Sequence, residues 1–435
     1  MPILTQEAAG RALPRLLPVT QSFPRPRLDD PRAATQRMVS DRLAELNARS
    51  GARVAIGVGS RGIRDIVPVV QATVTACRDA GLAPCIVPAM GSHGGGTADG
   101  QRGVLTGYGI TEEFCGCPIR ASMETVTVAQ ADEGFPVHFD RHAFEAHHVF
   151  VCGRIKPHTG FVGDIESGLM KMMLIGLGKH EGAKIYHRAI KDYSFGQIVR
   201  SVAKHVFANC RIVAGLGIVE NSLDQTAKLE AVLPEQFEER EKALLVQAKQ
   251  WMMRLPFDRA DLLLIDEIGK NISGSGMDTN VVGRKYLDHR AAEHEFPKVR
   301  LIALRGLTEA THGNACGIGL AEFCLQRLVD QMDAEITQIN CMTGGHPTGA
   351  MVPISYATDR QLLDEVLPQI GLTESHEARL MWIANTLAVS EVECSVAYLE
   401  EARSRSDLEI IQEPRPFPFD EHGMLPNVGG ANGCH

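Results

Sequence analysis

Three segments of this sequence set residues able to do chemistry inside glycine-rich loops. Gly57-Val58-Gly59-Ser60-Arg61-Gly62 follows an apolar run and matches G-x-G-x-x-G, a pattern whose backbone can cradle a dinucleotide. The acidic residue that would hold a ribose is missing, because the next apolar run reads Ile86-Val87-Pro88-Ala89-Met90. A plain NAD site is therefore disfavoured. Arg61 instead suits a phosphate or carboxylate, since its fork can make two parallel hydrogen bonds; otherwise the glycines serve a tight turn and Arg61 is solvated. The second segment, Met90-Gly91-Ser92-His93-Gly94-Gly95-Gly96-Thr97, places a histidine among four glycines. Thr97 can cap a following helix, whose first amides would favour an anion. His93 then points into a cleft or, in the plainer reading, sits on a mobile surface loop.

The third segment, Cys152–His187, is the richest. His158 comes just after Pro157, Lys171 lies in a Gly- and Met-rich stretch, and His187 follows sixteen residues later. Apolar surroundings would lower a lysine's pKa and make it a better nucleophile, although a lysine on an amphipathic helix can also snorkel to water. His138, His142, His147 and His148 form a denser cluster, but no cysteine pair or H-E-x-x-H accompanies them, so a solvated turn is expected. His312 and His346 also sit in glycine-containing loops, with no role fixed by spacing.

These loops need strands and helices to hold them. Val54–Ile56, Pro84–Val87, Val149–Cys152 and Arg211–Gly215 read as strands. Ala33–Arg49, Ile63–Ala80, Thr97–Tyr108, Gly168–Leu177 and Glu235–Gln250 read as helices. Further on, strands are expected at Leu262–Ile265, Val299–Leu304 and Ile336–Ile339, and helices at Gly319–Met332, Asp359–Leu367 and Glu377–Thr386. Short apolar runs alternating with helices predict an α/β protein with parallel sheets. The expectation is two doubly wound α/β domains, residues 1–258 and 259–435, with the active site in the cleft between them. Residues 1 to about 30 are rich in Pro and Arg and read as an extended arm.

Taken together, VGSRG (58–62), MGSHGGGTADGQRGVLTGYGITEE (90–113) and KPHTGFVGDIESGLMKMMLIGLGKHEGA (156–183) resemble the nickel-pincer nucleotide-dependent lactate racemase superfamily. The resemblance covers the first domain well and the second loosely. It implies a pyridinium mononucleotide with two sulfur arms around nickel, joined covalently to Lys171, with His187 as the metal's protein ligand. It also implies His93 and His158 as paired acid–base histidines, Arg61 as a substrate-binding residue, and Gly57, Gly59, Ser60 and Ser92 as cofactor contacts. The reaction implied is racemisation or epimerisation of a 2-hydroxy acid by proton-coupled hydride transfer through a transient 2-keto acid. Proteins that make the cofactor are implied partners. The stretch between His158 and Lys171 is longer than in lactate racemase itself, and Lys270 is the candidate for holding the substrate in the second domain. Two other readings stay open: an oxidoreductase with freely bound NAD at the Gly57 loop, and a non-catalytic nucleotide- or anion-binding protein.

The whole-chain balance agrees with a soluble enzyme. Of 435 residues, 44% are apolar and 22% charged, as in a globular protein. A net charge of −9 without a basic stripe, and aromatics at 5%, argue against nucleic acid. Apolar runs such as Leu262–Ile265 are far too short to span a bilayer. Met1–Glu7 lacks the basic start and apolar core of a secretory signal, and eleven scattered cysteines suggest buried free thiols, so a cytoplasmic location is expected.

Overall fold

The computed structural model describes residues 12–428, apart from Asn47 and Arg61. The chain forms two compact units, Pro24–Met252 and Met253–His435 together with Met1–Phe23.

In Pro24–Met252 the short apolar runs do become parallel strands. Their order across the sheet is Ala83–Pro88, Arg53–Val58, His148–Arg154, Ile212–Glu220 and Thr226–Val232, with only the last antiparallel. Strand side chains alternate between faces, and both faces are buried. Val54, Ile56 and Val58 pack with Val39 and Leu43 of helix Pro31–Glu45 and with Val69 and Val70 of helix Ile66–Asp79. Ala55, Val149 and Val151 face the other way, toward Leu169, Met173 and Leu174 and toward Ile198, Val199 and Val202 of helix Phe195–Asn209. Each fully buried aliphatic side chain contributes about 1.5–3 kcal/mol by leaving water, so the two-sided core fixes where every strand ends. A hairpin, Thr125–Gln130 with Pro136–Asp140, stands apart from this sheet.

The other unit is built on eight strands in the order Ile354–Tyr356, Phe323–Leu325, Lys298–Leu304, Arg259–Ile265, Leu380–Ile383, Glu391–Ser395, Leu16–Gln21 and Leu408–Ile410. The first five are parallel and the rest antiparallel. Leu16–Gln21 is thus an interior strand of this sheet and belongs with residues 253 onward, whereas the sequence reading had placed it in a first domain of residues 1–258.

Three expected elements are corrected here. Gly319–Met332 holds strand Phe323–Leu325 before helix Gln326–Gln331, and Glu377–Thr386 holds strand Leu380–Ile383. Leu380–Ile383 is buried at every position, so it lacks the alternation that separates a strand from a helix. Ile336–Ile339, expected as a strand, lies in helix Ala334–Thr343. The cap decides it: the Asp333 carboxylate accepts the Ile336 N–H at 2.9 Å, and Thr337 and Cys341, four apart, supply the buried stripe.

Among the described residues no helix is long and apolar enough to cross a membrane. The cysteines among them are free thiols, and burial pushes those of Cys77, Cys117 and Cys152 up to about 12.

Candidate functional site

His93, His158, Lys171 and His187 all belong to Pro24–Met252, in the loops and helices that follow its strands. The segment carrying Lys171 is not a plain helix. Leu169–Lys171 is α-helical and Met172–Gly176 is a π-helix, a wide turn that occurs often at functional sites. Its start is held from a distance by Glu241 of helix Phe237–Trp251, whose carboxyl accepts the Met170 N–H at 3.0 Å. Burial pushes the Glu241 carboxyl up to about 8. Gly168, at φ +103°, precedes it; a Cβ there would lie 2.8 Å from the Glu241 carboxyl and 2.7 Å from Ile155. No other residue fits that position.

Phe161 gathers the reactive side chains. Its ring stacks on His158 at 4.0 Å and on Phe195 at 4.3 Å, Lys171 Nζ lies 4.8 Å from its centroid, and the His187 ring lies at 6.2 Å. The ring therefore offers an aromatic face to the Lys171 ammonium and a flat support to His158. His158 is oriented three ways. Its backbone N–H donates to the buried Glu166 carboxylate at 2.9 Å, which Lys249 neutralises at 2.8 Å. Its Nδ1 accepts the N–H groups of Gly160 and Phe161, each at 3.0 Å. Nδ1 is thus an acceptor, and the neutral ring carries its proton on Nε2.

His187 is exposed, yet atoms packed around its ring, and then the cation of Lys171, hold its pKa below the usual imidazole value. A neutral imidazole is the form that binds metal. Removing the Lys171 charge takes away the second cause and leaves the first. The Lys171→Met variant is expected to raise the His187 midpoint part-way toward its ordinary value in an NMR titration, and an unchanged midpoint would place Lys171 elsewhere.

His93 is presented by the second glycine loop. Its Nδ1 shares a short hydrogen bond with Ser60 Oγ, and Tyr108 Oη donates to the Ser60 carbonyl, so the Gly57 and Gly91 loops are tied together. Thr97 caps helix Ala98–Gly107 by accepting the Gly100 N–H at 3.1 Å, as its position predicted. Both loops meet the π-helix closely. The Gly91 N–H donates to the Gly176 carbonyl at 3.2 Å, and a Cβ on Gly59 would meet Met172 at 3.3 Å. Behind them, Lys179 pairs with Asp140 at 3.2 Å, both side chains fully buried, and also donates to the Pro88 carbonyl and to Gln101.

Ser60 is half-buried and Ser92 exposed, while Gly57 lies inside its strand against Val151 and Leu177. Arg61 lies outside the described residues. Lys270 belongs to the other unit, where its Nζ donates to the Gly274 carbonyl at 2.7 Å and to Asn340 at 2.8 Å. The His138 cluster is not one surface turn: His138 is in a strand of the hairpin and His148 begins a strand of the main sheet. Among the described residues no three His, Cys, Asp or Glu converge as a metal site by themselves.

A solved structure joins these observations to a known fold. The lactate racemase apoprotein from Thermoanaerobacterium thermosaccharolyticum is similar over 85% of this chain and 88% of its own, at 10% identity and a TM-score of 0.50. The chain has a lactate racemase-like fold. A Thermotoga maritima protein from structural genomics is similar over 63% of this chain and 70% of its own, at 14% identity and a TM-score of 0.43. No protein-family model matches the chain, and no curated protein does.

Phe161, Glu166, Lys179 and Glu241 were not legible as site residues. Glu241 had a signal: it shares the helix face of Leu244, Leu245 and Ala248, where a carboxyl must find a partner. Lys179 also had one, as a cation directly after the glycines and apolar residues of Leu174–Gly178.

Proposed function

We propose that this protein is an isomerase that inverts the hydroxyl-bearing carbon of a 2-hydroxy acid, with a nickel-pincer nucleotide held covalently by Lys171. The observation that carries the reading is the gathering of Lys171, His158 and His187 around one ring, Phe161, within a lactate racemase-like fold.

The residues fit such a group. Lys171 offers an amine for the covalent link, on a helix turn fixed at its start by Glu241. His187 offers a single imidazole whose surroundings disfavour its charged form, and nickel(II) accepts imidazole beside sulfur. Gly59, Ser60 and Ser92, on the two glycine loops, would supply backbone and hydroxyl contacts for the nucleotide. When bound, the group supplies a hydride-accepting carbon next to a soft metal.

The chain's own task is to handle the hydroxyl proton. His158, with Nδ1 held as an acceptor, presents an Nε2–H donor. His93 can present the same nitrogen in the opposite state: when its Nδ1–H donates to Ser60 Oγ, the basic lone pair is on Nε2. Two imidazoles of unlike tautomer suit a reaction that takes a proton on one side and returns it on the other.

The test is the intact mass and nickel content of protein produced with the enzymes that make the pincer nucleotide. A nucleotide-sized increment with stoichiometric nickel, absent from Lys171→Ala, is expected. An unmodified, nickel-free chain would overturn the reading and leave the Gly57 loop to a freely bound nucleotide.

A further inference from the structure

We infer that Lys179, acting with Asp140 and Gln101, is a positioning residue that fixes the loop bearing His93 against the helix bearing His187. The inference rests on the proposed role of His93 in proton transfer.

Two features make Lys179 unusual. It sits at φ +54°, a left-handed conformation that a non-glycine residue adopts only under constraint. Its side chain is also wholly buried against an equally buried carboxylate, Asp140, at 3.2 Å. Burial lowers the pKa of Lys179 and raises that of Asp140, so both charges are opposed by their surroundings. A buried ion pair is seldom a net source of stability, because desolvation consumes the Coulombic gain. Strain and a buried charge at one residue call for another purpose.

The hydrogen bonds show where the charge is directed. Lys179 Nζ donates to the Pro88 carbonyl at 2.6 Å, at the end of the strand that leads into the His93 loop. It also donates to Gln101 Oε1 at 3.1 Å, which fixes the amide with its N–H groups turned the other way. Gln101 Nε2 then donates to the Gly91 carbonyl at 2.9 Å and to the His93 carbonyl at 3.3 Å. Lys179 thus reaches both ends of the segment that carries His93, once directly and once through Gln101.

That segment needs an outside brace. Gly94, Gly95 and Gly96 follow His93 at φ +64° to +66° and have no side chains with which to anchor it. Lys179 also begins helix Lys179–Ala189, eight residues after Lys171 and eight before His187. The same lysine therefore sets the helix that presents His187 and the loop that presents His93.

The experiment compares Gln101→Leu, Lys179→Met and the pair Lys179→Met with Asp140→Asn, using amide hydrogen exchange and thermal unfolding. The protected amides of His93, Gly96 and Thr97 report directly on the loop. In Gln101→Leu, which keeps the ion pair, they are expected to exchange about tenfold faster or more while the melting transition stays near wild type. Lys179→Met alone leaves Asp140 buried without its cation and lowers the melting temperature. Adding Asp140→Asn is expected to recover most of that loss but not the exchange protection. In loaded enzyme, Gln101→Leu should lower kcat with little change in KM and with the Lys171 adduct intact. Unchanged exchange in the folded Gln101→Leu and paired variants would overturn the inference. Faster exchange in a protein that takes no cofactor would uphold the brace and reject the racemase reading, so the two failures are distinct.

Discussion

Loaded enzyme carrying His158→Ala is expected to lose about 10²–10⁴-fold of its turnover on a 2-hydroxy acid, the usual worth of a positioned acid–base group. His93→Ala is expected to do the same, and neither change should remove the adduct on Lys171. The size follows from how completely each ring is prepared. The Glu166 carboxylate holds the His158 backbone, and the Gly160 and Phe161 amides with the Phe161 ring leave its imidazole one orientation and one tautomer. Nothing in the core depends on it: His158 is only half-buried, and its loss removes one stacked pair from Phe161, about 0.5–1.5 kcal/mol, and the acceptor of the Gly160 and Phe161 amides, which lie in a loop that water reaches. Activity should therefore fall far more than stability. The tautomer is checked separately by the nitrogen shifts of the His158 ring, which should mark Nδ1 as unprotonated. If either alanine variant keeps turnover within about tenfold of wild type, that histidine is not an acid–base group.

The first unit was largely legible because its strands are short and apolar and its helices are closed by glycine. Ile66–Asp79 ends where Gly81 takes φ +75°, and Ala98–Gly107 ends before Gly109 at φ +88°. The glycine loops after the strands were legible for the same reason, and they pointed to His93, His158, Lys171 and His187. What holds these residues was not. Phe161 binds its neighbours through faces of rings, and Glu166, Asp140, Gln101 and Glu241 act through contacts with residues distant in sequence. In the other unit the pattern misled where both faces of a strand are buried, as in Leu380–Ile383, and where a cap overrode β-branched propensity, as in Ala334–Thr343. Leu16–Gln21 was missed because its partners, Glu391–Ser395 and Leu408–Ile410, lie at the far end of the chain.

The second large effect is structural and lies in that other unit. Arg305 is fully buried at the end of strand Lys298–Leu304. Its Nε and Nη2 reach the two oxygens of Asp359 at 2.7 and 3.1 Å, and its Nη1 makes a short contact with Asp266. Asp266 also accepts the Trp382 indole N–H at 2.6 Å and the Val428 N–H at 2.6 Å. Arg305 in turn donates to the carbonyls of Leu425 and Pro426, so one guanidinium ties two strand ends to residues 425–428. Arg305→Met removes the cation that bonds both buried carboxylates, Asp266 and Asp359. Breaking a buried pair in this way costs about 3–5 kcal/mol, and two orphaned acids put this site at the upper end. Urea unfolding of this unit should shift accordingly, while hydrogen exchange in residues 24–252 should stay as in wild type. Adding Asp266→Asn and Asp359→Asn to Arg305→Met is expected to recover much of the loss, because the orphaned charges are then gone. If the single variant is as stable as wild type, the carboxyls are neutral without Arg305 and the network is held by hydrogen bonds alone.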